Sequence, residues 1–314
     1  MSIFKIKNHQ LVRIKEKNFD YEKDLQKLVE QNLKEIFGLD FVSGALNKEF
    51  SIKSPHQSFY IDTLAFDPEI NSFVIIEYKK DKNLSVIDQG YAYLAAMLNN
   101  KAEFVLEYNE RKRINLNRDN IDWSQAKVIF VAKEFTPYQM GAIAFKDLPI
   151  ELWEVQLLED NIISFSQIKP AETQESITKI TKSHTVKEVS REVKTYTIEN
   201  HYKKASPITK VLLDKLRQKI SLLDENIKEA YLKNYIGYKS NWYNFVSIHI
   251  FKDKLKIYVR KDKLLKDVDK KFIKVPESYG WGKTPLWWID ISKDNELNYV
   301  INVIKESYEA SPDR

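Results

Sequence analysis

The chain of 314 residues contains no cysteine, which rules out a disulfide framework and any thiolate metal site. Histidine is scarce as well. The five present, His9, His56, His184, His201 and His249, are scattered without metal-ligand spacing. Only seven glycines occur, and none belongs to a glycine-rich phosphate loop, so a nucleotide-hydrolysing motor is not expected. No apolar run is long enough for a signal peptide or a membrane span. The expectation is a soluble cytoplasmic protein with no membrane partner. No internal repeat is apparent. At 43% hydrophobic residues the chain can bury sizeable cores, and its length suits two domains.

What is present is concentrated between Phe59 and Tyr93, FYIDTLAFDPEINSFVIIEYKKDKNLSVIDQGYAY. Two strand-like apolar runs flank the turn Asp67-Pro68-Glu69-Ile70-Asn71-Ser72, whose proline and polar residues end a strand. Each run carries an acid where a buried strand would ordinarily hold a hydrophobe. Burying such groups unpaired is unfavourable, so they are expected to meet a metal or one another. If Phe66 pairs with Phe73 across the turn, Asp62 stands opposite Glu77, with Cβ atoms roughly 5 Å apart. Strand alternation then puts Lys79 on the same face as Glu77.

Residues 20–37 show helical periodicity through Leu25, Val29, Leu33, Ile36 and Phe37. At about 100° per residue, Glu22 falls inside this apolar stripe and Glu30 on its flank. Glu22 is therefore the expected helix carboxylate of the site. The alternative is an acid in the first helical turn that simply favours the helix dipole.

Residues 3–15 read as a hairpin turning at Asn8-His9. Strands are expected near 46–52, 58–66, 73–79, 103–108, 127–132, 152–157 and 162–165, with helices over 84–98 and after Thr136-Pro137. That order predicts an α/β domain over 1–169, a mixed central sheet with helices on each side. From Pro170 to Ser206 the chain is rich in Thr, Ser, Lys and Glu and reads as a linker. Residues 207–314 read as a small α+β domain with terminal helices near 208–223 and 295–309.

The Asp62…Glu77-Tyr78-Lys79 pattern resembles the PD-(D/E)XK nuclease superfamily, in which an acid on one strand precedes an acid-x-Lys triplet on the next. Gln89-Gly90-Tyr91-Ala92-Tyr93 resembles the Q-x-x-x-Y element of its RecB-like branch, and Tyr21-Glu22-Lys23-Asp24-Leu25 extends the likeness to NucS-type domains. Tyr60 departs from the Gly or Arg of several relatives. In many such proteins a DUF5655 domain follows, and residues 207–314 look like one. The resemblance implies a restriction-endonuclease-like fold and Mg²⁺- or Mn²⁺-dependent hydrolysis of nucleic acid phosphodiesters, with DNA the expected substrate, in repair, restriction or defence. It implies metal ligation by Asp62, Glu77 and the Tyr78 carbonyl, catalysis aided by Lys79 and Glu22, and support from Gln89 and Tyr93. The alternative is a non-catalytic nucleic-acid-binding protein on the same scaffold. A homodimer is compatible with either.

Charge is uneven. Residues 207–314 hold 21 Lys/Arg against 15 Asp/Glu, and the stretch 252–274 alone has ten basic and four acidic residues. Lys252, Lys254, Lys256, Arg260 and Lys261, beside Trp242, Tyr279, Trp281, Lys283, Trp287 and Trp288, are expected to form a nucleic-acid-binding surface. The alternative buries the tryptophans in the core. If Trp287 and Trp288 lie on a strand, one should face inward and one outward.

Overall fold

The computed structural model describes residues 3–19, 22–53, 58–79, 85–145, 147–169, 175–276 and 285–312. Tyr21, His56, Tyr279, Trp281 and Lys283 fall outside them. The chain divides into two compact units, 1–194 and 195–314.

The first unit opens with a hairpin of β1 (Phe4–Lys7) and β2 (Gln10–Arg13). It turns at Asn8 and His9, both with positive φ, as a tight two-residue loop requires. There follow β3 (Glu16–Lys17), α1 (Glu22–Gln31), α2 (Leu33–Phe37) and β4 (Asp40–Ser43). The single helix expected over 20–37 is thus interrupted at Asn32. Gly38, at φ 72°, ends α2 by returning its N–H to the carbonyls of Leu33 and Lys34. β5 (Phe50–Lys53) and β6 (Ser58–Ile61) pair apart from the main sheet.

The central strands are β7 (Thr63–Asp67), β8 (Ser72–Lys79), β9 (Lys127–Ala132), β10 (Ile150–Leu158) and β11 (Ile163–Gln167). The sheet order is β11-β10-β9-β8-β7-β4, with β3 also paired to β10. β8, β9 and β10 run parallel, and their neighbours antiparallel. This is the mixed sheet expected. Burial on both faces explains the near-continuous apolar runs of the parallel strands. One face packs Leu25, Val29 and Leu33 of the first helices onto Ala65, Val74, Ile76 and Tyr78. The other receives α3 (Val86–Asn99), α4 (Lys101–Lys112) and α5 (Pro137–Ala142).

The segment 103–108, expected as a strand, lies in α4. Its buried residues Phe104 and Tyr108 are four apart, the spacing of one helix face, and Glu107 pairs with Arg111 along the same helix. A short apolar run does not distinguish the two periods.

The linker expected over 170–206 also gives way. α6 (Ile177–Ile180) and α7 (His184–Glu192) bury Ile177, Val186 and Val189 in the first core, together with Val193. Three well-spaced apolar side chains suffice to dock a helix whose other faces are Lys, Glu and Ser. The break between units falls at 194/195.

The second unit begins with α8 (Ile198–Tyr202) and α9 (Pro207–Ser221). Its strands are β12 (Lys228–Tyr231), β13 (Tyr235–Ser240), β14 (Tyr243–Ile250), β15 (Leu255–Arg260), β16 (Ile273–Lys274) and β17 (Leu286–Ile291). They form one antiparallel sheet in the order β12-β13-β14-β15-β17-β16. α9 and the final helix α10 (Leu297–Glu309) pack Leu213, Leu216, Ile220, Val300 and Ile304 into its core.

A fragment ending at residue 194 should therefore unfold in one cooperative thermal transition. A fragment ending at 169 should melt lower or aggregate, because it bares the α3 face that α7 covers. Circular dichroism melts of the two fragments distinguish these outcomes.

Candidate functional site

The hairpin register is the one the sequence predicts: Phe66 pairs with Phe73 and Thr63 with Ile76. Regular pairing stops at Thr63, and the chain bends at Asp62 before β6. There the Asp62 side chain replaces the missing ladder contact, its Oδ2 accepting the Tyr78 N–H at 3.0 Å. This bond brings the Asp62 carboxyl to the end of β8, within the field of Glu77.

Glu77 is buried and well supplied with donors. Its Oε1 accepts from Gln89 Nε2 at 2.9 Å and Lys79 Nζ at 3.2 Å. Its Oε2 lies 2.8 Å from the Tyr93 hydroxyl. Gln89 and Tyr93 sit one turn apart on α3, as their spacing predicts, and touch each other at 3.3 Å. The Tyr93 hydroxyl also lies 3.1 Å from the Tyr60 carbonyl, but it has one proton. The shorter contact, to a carboxylate, takes it. Burial and the charge of Glu77 push the Tyr93 hydroxyl well above its usual range, so it remains a donor. The Lys79 ammonium stands 5.7 Å from the centre of the Phe130 ring.

Asp62, Glu77, Lys79, Gln89 and Tyr93 are thus brought together. Tyr78 contributes its N–H, and its side chain points to the other sheet face, beside Thr63. Glu22 is the correction. It is exposed rather than in the buried stripe, because α1 begins at that residue. It still raises the Asp62 pKa by its charge and lines a cavity with Lys79.

The buried helix carboxylate is Glu30, 3% exposed, which the wheel put on the flank. It accepts from Gln26, the backbone N–H groups of Ala45 and Leu46, and the Thr63 hydroxyl. Gln26 also donates to the Asp62 carbonyl at 2.7 Å. Glu30 is therefore a structural acid, fixing the segment that carries Asp62.

Two features set this cluster apart. Burial, then the charge of Glu77, lift the Asp62 carboxyl from 3.8 to about 7. Gln89 Oε1 is buried with no hydrogen-bond partner. Among the described residues, no group of three or more His, Cys, Asp or Glu side chains could hold a metal ion.

Three of the expected basic residues have acidic neighbours. Lys254 lies 2.6 Å and Lys256 4.0 Å from Asp290, and Lys261 lies 2.8 Å from Glu306. Lys252 is exposed, while its carbonyl accepts from Ser206 and Thr209. Lys256 and Arg260 do share the outward face of β15 with Tyr258. The tryptophan pair divides as expected. Trp287 packs against the core, its Nε1 donating to the Lys261 carbonyl, while Trp288 lies under Lys256 at 3.9 Å.

A family model, Domain of unknown function (DUF5655), matches residues 198–311. An uncharacterized protein of Haemophilus influenzae is 38% identical over 309 residues, covering 98% of this chain and 99% of the relative. The chain belongs to that protein's family. Its DUF5655 domain starts nine residues before the expected 207, because the match takes in α8. No solved structure matches the chain.

Sequence reasoning missed the cavity residues Lys133 and Phe135. They directly follow the apolar run of β9, at the carboxyl end of a parallel strand, which is where open α/β sheets bind ligands.

Two predictions follow from this geometry. Because the folded Asp62 pKa is raised, its ionised form destabilises the folded protein, and stability is lost as pH rises from about 4 through about 7. Asp62→Asn should raise stability at pH 8 by on the order of 2 kcal/mol, with the gain vanishing toward pH 4 in denaturant titrations. Separately, a Cβ at Gly44 would meet Glu30 Oε1 at 2.0 Å and the Asp62 carbonyl at 2.9 Å. Gly44→Ala should destabilise by roughly 2–4 kcal/mol through the displaced buried carboxylate, read as a lowered denaturant midpoint.

Proposed function

We propose that the protein is a metal-dependent nuclease acting on DNA. The observation that carries this reading is the meeting of Asp62 and Glu77 beside Lys79 at the carboxyl end of β8, with Gln89 and Tyr93 holding Glu77. Burial and then the charge of Glu77 drive the Asp62 carboxyl to about 7, a bound cation would favour its ionised form, and the unused Gln89 Oε1 could accept from a metal-bound water. The residues therefore fit a hard divalent cation, Mg²⁺ or Mn²⁺. Asp62, Glu77 and the Tyr78 carbonyl would hold it, and Glu22 would add negative charge at the rim. Such a cation supplies Lewis acidity and a more acidic bound water.

The chain's own residues do the rest. Tyr93 and Gln89 hold the Glu77 carboxylate through hydrogen bonds to its two oxygens. Lys79, which contacts Glu77, neutralises charge that develops on a phosphate in the transition state. Its buried stem and its contact with Phe130 limit its movement.

The absence of a third acidic or histidine ligand among the described residues favours a second reading, a nucleic-acid-binding protein that does not cleave. Lys79→Ala separates the two. It should reduce cleavage of DNA at least 100-fold in Mg²⁺ while changing DNA affinity less than threefold, because the lysine acts in the transition state. Asp62→Ala should abolish both cleavage and Mn²⁺ binding. Wild-type protein that binds but cuts no single-stranded, duplex or branched DNA would leave the second reading standing.

A further inference from the structure

Every strand residue of the β1–β2 hairpin is exposed. The ladder pairs Phe4 with Arg13 and Ile6 with Leu11. Opposed residues share a face, so one face carries Phe4, Ile6, Leu11 and Arg13, with Ile6 74% and Leu11 67% exposed. Lys7 adjoins the turn. Residues 1–17 hold five Lys/Arg against one acid, whereas residues 18–206 hold 24 against 29. A two-stranded hairpin without a core is marginally stable in water, and an exposed apolar face of this kind marks a contact surface.

α4 carries the complementary surface. Glu103, Leu106 and Glu110 follow the i, i+3, i+7 spacing of one helix face. All three are exposed, Leu106 at 58%. Arg111 is paired with Glu107, Lys112 falls on the opposite side at about 100° per residue, and Arg113 ends the helix. Among the described residues, no ion pair involves Lys7, Arg13, Glu103 or Glu110.

The two patches occupy opposite corners of one sheet. The hairpin leads into β3, which pairs with Leu157 and Leu158 at the end of β10, and Lys5 meets Asp160 there at 2.9 Å. α4 instead packs Phe104 and Tyr108 against Phe73, near the start of β8. β8 and β10 run in the same direction, with Lys79 level with Glu154 through Ala132. The corners therefore lie roughly 25–30 Å apart along the strands, and a hairpin with strands roughly 13 Å long does not reach across.

We propose that the hairpin of one chain docks on the α4 stripe of a second copy. Ile6 and Leu11 cover Leu106, while Lys7 and Arg13 meet Glu103 and Glu110. A single contact between a short ribbon and two helical turns is smaller than the roughly 1,000 Å² of a specific interface. Each chain presents both patches, so a two-fold axis repeats the contact and closes a dimer. The docking is independent of the chemistry at Asp62 and Glu77.

Sedimentation velocity of the full chain provides the test. Wild type should dimerise in the micromolar range, and raising salt from about 50 mM to about 500 mM should weaken the dimer about tenfold. Lys7→Glu combined with Arg13→Glu should weaken it about 100-fold, as should Glu103→Lys combined with Glu110→Lys. Mixing these two double variants should restore the dimer, because both contacts then regain opposite charges. Ile6→Ser with Leu11→Ser should also give monomers, with an unchanged circular dichroism melt because both positions are exposed. Wild type that stays monomeric at about 100 µM would overturn the proposal. So would double variants that dimerise like wild type. A mixture that stays monomeric would do the same, leaving the hairpin to a different partner such as duplex DNA.

Discussion

Glu30 is buried with four hydrogen bonds, all from neutral donors, and three segments of the first unit meet at it. α1 supplies the acid, the turn after β4 supplies two N–H groups, and β7 supplies the Thr63 hydroxyl. A carboxylate removed from water is tolerated only when its lone pairs are filled, so these segments cannot drift independently. Gly44 lies so close that a side chain there would collide with both Glu30 and the Asp62 backbone. Through Gln26 the same network reaches the Asp62 carbonyl. A buried acid therefore fixes the bend that presents Asp62.

From that bend outward, each contact narrows what the next residue can do. The Tyr78 N–H orients Asp62, and strand alternation sends Glu77 and Lys79 toward α3. There Gln89 and Tyr93 close on Glu77 from one helical turn. Gly90, between them, permits the approach, since a Cβ there would lie 2.6 Å from Ile150 Cδ1. The absence of a side chain on α3 thus sets the distance from which two of the supporting donors work.

The sheet, the β7–β8 register and the convergence of Asp62, Glu77, Lys79, Gln89 and Tyr93 were legible because they depend on short-range rules: turn chemistry, alternation and helical spacing. What was not legible depended on where an element starts or on what covers it. A helical wheel assigns Glu22 and Glu30 angles but cannot tell that α1 begins at Glu22, which frees that residue from burial. The run 103–108 fits either period until Phe104 and Tyr108 find one face to share. Residues 177–193 are polar enough to read as a tether, yet a few aliphatic side chains dock them. The lysines in and beside β15 read as a surface for phosphate, whereas Asp290 and Glu306, distant in sequence, lie against three of the expected set. Long-range partners of charged groups leave no local signature.

The docking of α7 onto α3 has a consequence for biosynthesis. Chains emerge from the ribosome from the N-terminus, at roughly 5–20 residues per second. The strands and helix bearing the acid pair lie within the first hundred residues, yet the hydrophobic layer behind α3 stays incomplete until Val193 has left the exit tunnel. For several seconds the nascent chain holds every member of the pair on a half-covered scaffold. The closing helix is thus also a timer: the first unit reaches its finished form just as the DUF5655 segment begins to appear.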